Sequence, residues 1–245
     1  MTVAVILAGG LGMRLRSVVS NMPKPMAEVL GRPFLEHLMD YWIDQGVSHF
    51  ILSVGYKKES IARHFSNAYR GIGISYVEEE HPLGTGGGLL LASHNLIKPF
   101  LLLNGDSYLN VELFKLVDFH ERKNSDWTFS LIRANECNRY GGIEVGCNGQ
   151  IIAFQSNKSI IGSLVNGGVY YLNPKVLRNS GFILGNKYSL EDEIIPMLIT
   201  KNRKFFGIEI HSMFLDIGVP NDYFEATNML QSNNKKYLKK SKLKE

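Results

Sequence analysis

The chain has 245 residues, 44% of them hydrophobic, enough to bury a sizeable core in one α/β domain with at most a small appended lobe. No apolar run reaches membrane-spanning length and no charged leader with a cleavage site opens the chain, so neither a membrane protein nor a secreted one is expected. The net charge of +4 belongs to the end of the chain: residues 235–245 hold six lysines and one glutamate, which leaves the rest near −1 and excludes a polybasic nucleic-acid binder.

Val3-Ala4-Val5-Ile6-Leu7 reads as a buried strand, followed by Ala8-Gly9-Gly10-Leu11-Gly12-Met13-Arg14 and then Pro23-Lys24-Pro25. The three glycines allow a tight turn whose N–H groups can cradle an anion. Arg14 and Lys24 add positive charge beside it. A dinucleotide fingerprint fails because Leu15 stands where its third glycine belongs, and a Walker loop fails for want of Gly-Lys-Ser/Thr. The turn therefore reads as a phosphate site of another kind, the alternative being a purely structural glycine turn.

Downstream, Pro33 to Ile43 carries Phe34, Leu38, Tyr41 and Trp42 at helical spacing, with Gly46 as a stop. Phe50–Val54 reads as a strand, Ser60–Phe65 as a short helix and Gly73–Val77 as a strand. Glu78 to Gly88 reads as a glycine-rich loop before a helix from Leu89 to Leu96. Phe100–Leu103 is a strand running into Asn104-Gly105-Asp106. This βαβαβ order predicts a Rossmann-like, mainly parallel mixed sheet with helices on both faces and ligands at the strands' carboxyl ends.

The second half is more mixed. Asp126–Arg133 reads as a strand, and Gly142–Val145 with Ile151–Phe154 as a hairpin around Cys147-Asn148-Gly149. That hairpin is expected to form a small substrate lobe. Val165–Leu172 is a strand and Leu190–Ile199 a helix. Phe214-Leu215-Asp216 ends a strand, before a helix through Leu230. The expected division is one domain over 1–232, with a nucleotide half (1–125), a sugar-phosphate half (126–232) and a solvated basic tail (233–245). Cys137 and Cys147 have no framework spacing and read as reduced thiols of a cytoplasmic protein. The seven histidines show no metal-ligand spacing. Asp106 and Asp216, each just past an apolar strand, could meet at a sheet edge and hold Mg²⁺; each alone also reads as a turn or capping residue.

LAGGLGMRL with PKPM resembles the signature of the sugar-1-phosphate nucleotidylyltransferases. The run from Leu7 to His37 is most similar to the D-glycero-α-D-manno-heptose 1-phosphate guanylyltransferases, including Arg16-Ser17-Val18-Val19 after the loop. Met13 departs from the small hydroxyl residue usual there. The resemblance implies a nucleotide-diphospho-sugar transferase fold that binds GTP and a sugar 1-phosphate. Its product would be GDP-heptose for a surface polysaccharide or glycan. The same chemistry on mannose or glucose 1-phosphate is one alternative, and a non-catalytic sugar-nucleotide sensor another.

The resemblance makes Arg14 and Lys24 catalytic, holding the leaving phosphates and the α-phosphate. It gives nucleotide contacts to Leu7, Ala8, Gly9, Gly10, Gly12, Met13, Glu79, Pro82, Gly84, Thr85, Asn104 and Gly105, with Glu79 reading the base. Asp106 and Asp216 become the Mg²⁺ ligands. Gly141, Asn166 and Glu191 become sugar contacts. Lys158 takes the place of a sugar-phosphate lysine, although the glutamate and proline that usually flank it are missing. A homo-oligomer is left open.

Overall fold

The computed structural model describes residues 1–241 apart from 11, 13, 14, 16, 17, 20, 21, 138 and 156–158, with side chains through residue 231. Arg14, Met13 and Lys158 therefore lie outside the described residues.

Strands β1 (Thr2–Leu7), β4 (Val47–Val54), β6 (Ile72–Glu78) and β7 (Phe100–Asn104) form a parallel centre. Around it lie β5 (Ala68–Tyr69), β9 (Trp127–Arg133), β10 (Gly142–Val145), β11 (Ile151–Gln155), β12 (Leu164–Leu172) and β13 (Phe205–Glu209). The ten-stranded sheet runs β11-β10-β12-β7-β1-β4-β6-β5, with β9 on β12 and β13 on β9. β12 joins β7 antiparallel, so the sheet is parallel from β7 through β1 and β4 to β6 and largely antiparallel beyond β7. The β10–β11 hairpin is the outer edge of this same sheet.

Alternation places side chains on two faces. In β1, Ala4 and Ile6 enter one core while Val5 enters the other; in β7, Leu101 and Leu103 oppose Phe100 and Leu102. The first core packs α1 (Phe34–Ile43), α2 (Lys58–Phe65), α4 (Leu113–Arg122) and α7 (Pro220–Ser241). The second packs α3 (Gly84–Ser93), α5 (Lys175–Arg178) and α6 (Ile195–Thr200). Two small pairings complete the fold: β2 (Glu28–Val29) with β3 (Arg32–Pro33), and β8 (Ser107–Leu109) with β14 (Phe214–Asp216). No helix among the described residues is long and apolar enough to cross a membrane.

Three of the segments read from the sequence take a different form. The Gly84–Gly88 loop is the first turn and a half of α3. The helix expected over 190–199 opens as a π-helical turn, Leu190–Ile194, before α6. The wider turn accommodates Pro196, which has no N–H to give to a regular ladder. And α7 runs on to Ser241, because no glycine or proline interrupts the chain after Pro220.

Buried His120 bonds through Nδ1 to Thr128 Oγ1 (2.9 Å). Burial lowers its pKa to about 4, against the opposing pull of Asp126 and of a backbone bond to Tyr171. The unfolded chain takes that proton near 6.5, so it binds more protons than the folded one between the two values. Stability is then full above 6.5 and falls as pH drops toward 4, by at most about 3 kcal/mol. Denaturant titrations from pH 4.5 to 7.5 should show this slope, and His120→Gln should flatten it, leaving the smaller share of His37, whose pKa burial also lowers. An unchanged slope would remove His120 as its source.

Candidate active site

The parallel strands β1, β4, β6 and β7 all end on one edge, and their continuations build one wall of the site. The amides of Gly9, Gly10 and Gly12 donate to no acceptor among the described residues, as an anion cradle requires. Gly12 has φ +57°, and a Cβ there would lie 3.0 Å from the Lys24 Cβ. Gly105 donates to Leu7 O (3.0 Å), tying the end of β7 to the start of the glycine turn.

Glu79, just past β6, is held at both oxygens. Its Oε1 accepts from the fully buried Ser53 hydroxyl at the end of β4 (3.1 Å), and its Oε2 from the Leu83 N–H (2.9 Å). A side chain at Gly9 or Gly88 would collide with this carboxylate. Each oxygen keeps a lone pair for a ligand, since an ionised carboxylate is acceptor-only. Ser53 was missed by the sequence reading; its signal was a hydroxyl inside an otherwise apolar strand.

Pro82, Gly84 and Thr85 are exposed beside it. Gly84 has φ +69°, with Tyr188 O only 2.6 Å from where a Cβ would stand. The Gly86 and Gly87 amides donate to that carbonyl (2.9 and 3.3 Å), and the Tyr188 N–H returns to Leu83 O (2.9 Å). Thr85 Oγ1 accepts from the Leu190 N–H (3.0 Å). The start of α3 is thus bound to the turn that carries Glu191.

Asp106 and Asp216 meet, as expected. In the antiparallel β8–β14 pair, Ser107 stands opposite Asp216, and the Ile217 N–H donates to Asp106 O (3.0 Å). The Lys24 ammonium, about 10% exposed, forms an ion pair with Asp106 Oδ2 and lies 3.7 Å from Asp216 Oδ1. Asp106 Oδ1 accepts from Ser107 Oγ (3.2 Å), and Asp216 Oδ1 from the Gly218 N–H (2.7 Å). Burial raises the Asp216 pKa, and the Asp106 charge adds to the rise against Lys24. Two hard-oxygen carboxylates share one cation, a donor set suited to a divalent ion that completes its shell with water and phosphate. Among the described residues, no group of three or more His, Cys, Asp or Glu gathers into a closed metal cage.

A cleft of about 660 Å³ runs from these carboxylates to the second half. Thr85, Asn104, Asp106, Gly141, Asn166, Glu191 and Asp216 all face it. Asn166 is also the centre of a hydrogen-bonded cluster at the cleft wall. Its Nδ2 donates to Glu191 Oε1 (2.8 Å) and to the Tyr170 hydroxyl, while Oδ1 accepts from the Gly168 N–H (3.1 Å). With both amide hydrogens used, Asn166 orients Glu191 and Tyr170. Burial raises the Glu191 pKa against the Asn166 bond, with Asp192, Asp106 and Asp216 adding to the rise. Tyr170 and Arg139 also face the cleft and were missed by the sequence reading.

The family model described as nucleotidyl transferase matches residues 3–233. The D-glycero-alpha-D-manno-heptose 1-phosphate guanylyltransferase of Aneurinibacillus thermoaerophilus is 38% identical over 229 residues, covering 93% of this chain and 98% of that protein. Its Campylobacter jejuni namesake is 35% identical over 221 residues, covering 90% and 96%. The crystal structure of HddC from Yersinia pseudotuberculosis, complexed with GMP-PN, is 31% identical with a TM-score of 0.82, covering 94% of this chain and all of that one.

Proposed function

Since the chain belongs to the nucleotidyl transferase family, we propose that it transfers GMP from GTP to D-glycero-α-D-manno-heptose 1-phosphate. A phosphate oxygen of the sugar 1-phosphate attacks the α-phosphorus and forms a new P–O–P bond. The bond to the β-phosphate breaks, and pyrophosphate leaves. The observation that carries this reading is Lys24 set between Asp106 and Asp216, where the glycine turn and the cleft join. Such a reaction needs positioning and charge stabilisation more than covalent help from the protein.

Asp106 and Asp216 would hold Mg²⁺, which neutralises phosphate charge when bound. Lys24 steadies the α-phosphate, the Gly9–Gly12 amides and Arg14 take the β- and γ-phosphates, and Lys158 takes the sugar phosphate. Glu79 reads guanine: its spare lone pairs suit adjacent N1–H and amino donors, whereas uracil and thymine offer one N–H. Gly141, Asn166 and Glu191 contact the sugar, with the buried Tyr170 supporting Asn166 from behind. The guanylyltransferase names of the relatives at 38% and 35% identity support the base and the sugar.

The test is pyrophosphate release with four nucleoside triphosphates crossed against heptose, mannose and glucose 1-phosphates, with and without Mg²⁺. Release is expected with GTP, heptose 1-phosphate and metal. Another productive pair would move the specificity, and none at all would defeat the reaction assignment. In the same panel Glu79→Gln should lower the preference for GTP over UTP about tenfold, the loss of one good contact. An unchanged ratio would remove Glu79 as base reader.

A further inference from the structure

We propose that Arg139 is a positioning residue that sets the gap between the sugar wall of the cleft and the metal-binding carboxylates. It stands two residues before Gly141, yet its charge is engaged on the far side, in the first turn of α7. Nη1 bonds Asp222 Oδ1 (3.2 Å) and Glu136 Oε1 (2.9 Å), and Nη2 is ion-paired with Asp222 Oδ2. Both partners of the main pair are mostly buried, at 13% and 19% exposure. The guanidinium also lies over the Tyr140 ring, 5.0 Å from its centroid, and Tyr140 meets Phe214 edge-on at 6.1 Å.

The chain path gives this contact its consequence. Asp216 ends β14 and α7 begins at Pro220, so Asp222 lies six residues beyond a proposed metal ligand. Arg139 therefore bolts the loop carrying Gly141 to the segment carrying Asp216. Arg139, Tyr140, Phe214 and Asp216 face both the cleft and a second cavity of about 430 Å³ behind it. They are the partition between the two spaces. A planar fork bound to two carboxylates fixes distance and angle together, which a lysine would not. Two carboxylates also neutralise the guanidinium, so it is not a spare cation for the sugar phosphate.

The inference rests on the reading of Gly141 as part of the sugar wall. Its test compares wild type with Arg139→Gln, Asp222→Asn and the double variant. Sugar 1-phosphate Kd is measured by calorimetry, together with KM for each substrate and the melting temperature. The sugar is the one that the wild type binds most tightly among heptose, mannose and glucose 1-phosphates, so a wrong assignment of heptose, or of the reaction, leaves the Kd comparison intact. Each single variant is expected to raise the sugar 1-phosphate Kd about tenfold and to leave the GTP KM within about twofold, with the double variant no worse than either single one. If Asp222→Asn leaves sugar binding intact while Arg139→Gln weakens it, Arg139 is a phosphate ligand and the proposal fails. It fails equally if the variants shift only the melting temperature, or add independently.

Discussion

Asp106→Asn is expected to lower kcat for pyrophosphate release by about 10³-fold while leaving the protein folded. The amide keeps the shape of the carboxylate and can still accept from Ser107 Oγ. What it removes is charge, at the point where Asp106, Asp216 and Lys24 converge. A hard divalent ion loses one of its two protein anions, and the phosphates lose the metal that offsets their charge. Asp216→Asn should cost a similar factor, because the two carboxylates act as one donor set. The double variant should then fall little below either single one. Rates measured across a Mg²⁺ titration check this. A variant that keeps wild-type kcat and the wild-type Mg²⁺ midpoint would show that Asp106 holds no metal.

The expectation that these two aspartates would meet illustrates what a sequence can carry. Each lies after an apolar run, but nothing in the spacing of 106 and 216 places them together. Their meeting depends on β8 and β14, three residues each, paired with Ser107 opposite Asp216. Strands so short leave no period to detect, and here family resemblance stood in for physics. The parallel centre was legible because Val3–Leu7 and Phe100–Leu103 are continuous apolar runs, typical of strands buried on both faces.

Gly84–Gly88 was misread for an equally physical reason. Glycine is a poor helix former, and five residues with four glycines look like a loop. Tertiary packing overrides that preference: the 186–194 segment lies so close to α3 that side chains at Gly86 and Gly87 would clash with Ile194 and Asn186. Asn166 suits a sugar hydroxyl by residue type, but its bonds to Glu191 and Tyr170 join segments 25 and 4 residues away, which no local pattern displays.

Lys24→Met should separate two roles of one cation. The first is chemical: loss of the ammonium beside the reacting phosphates is expected to lower kcat by about 10²-fold or more. The second is structural. Lys24 is mostly buried, and Asp106 and Asp216 are 35% and 18% exposed. Removing the cation leaves two facing carboxylates with no neutralising partner of that kind, at a cost of about 2 kcal/mol, discounted for the exposure of Asp106. The melting temperature should drop by about 6 °C for a chain of this size.

The pH dependence of that loss has a definite sign. Asp216 already has a raised pKa, from burial first and Asp106 second, so it holds its proton more tightly in the folded state than its ordinary 3.8. Its ionisation therefore costs the fold stability as pH rises from 3.8 through the raised value. Without Lys24 the rise is larger. The variant should lie closer to wild type in acid, where proton uptake relieves the unbalanced charge, and fall furthest behind at neutral pH. Mg²⁺ added at neutral pH should return most of the lost stability, since it supplies charge to the same oxygens, while kcat stays low. Melting curves at pH 4.5 and 7.5, with and without Mg²⁺, read all of this without any turnover. A stability loss that ignores both pH and metal would mean that Lys24 acts through packing alone. Recovery of kcat by metal would mean that its charge, wherever it comes from, is all the reaction needs.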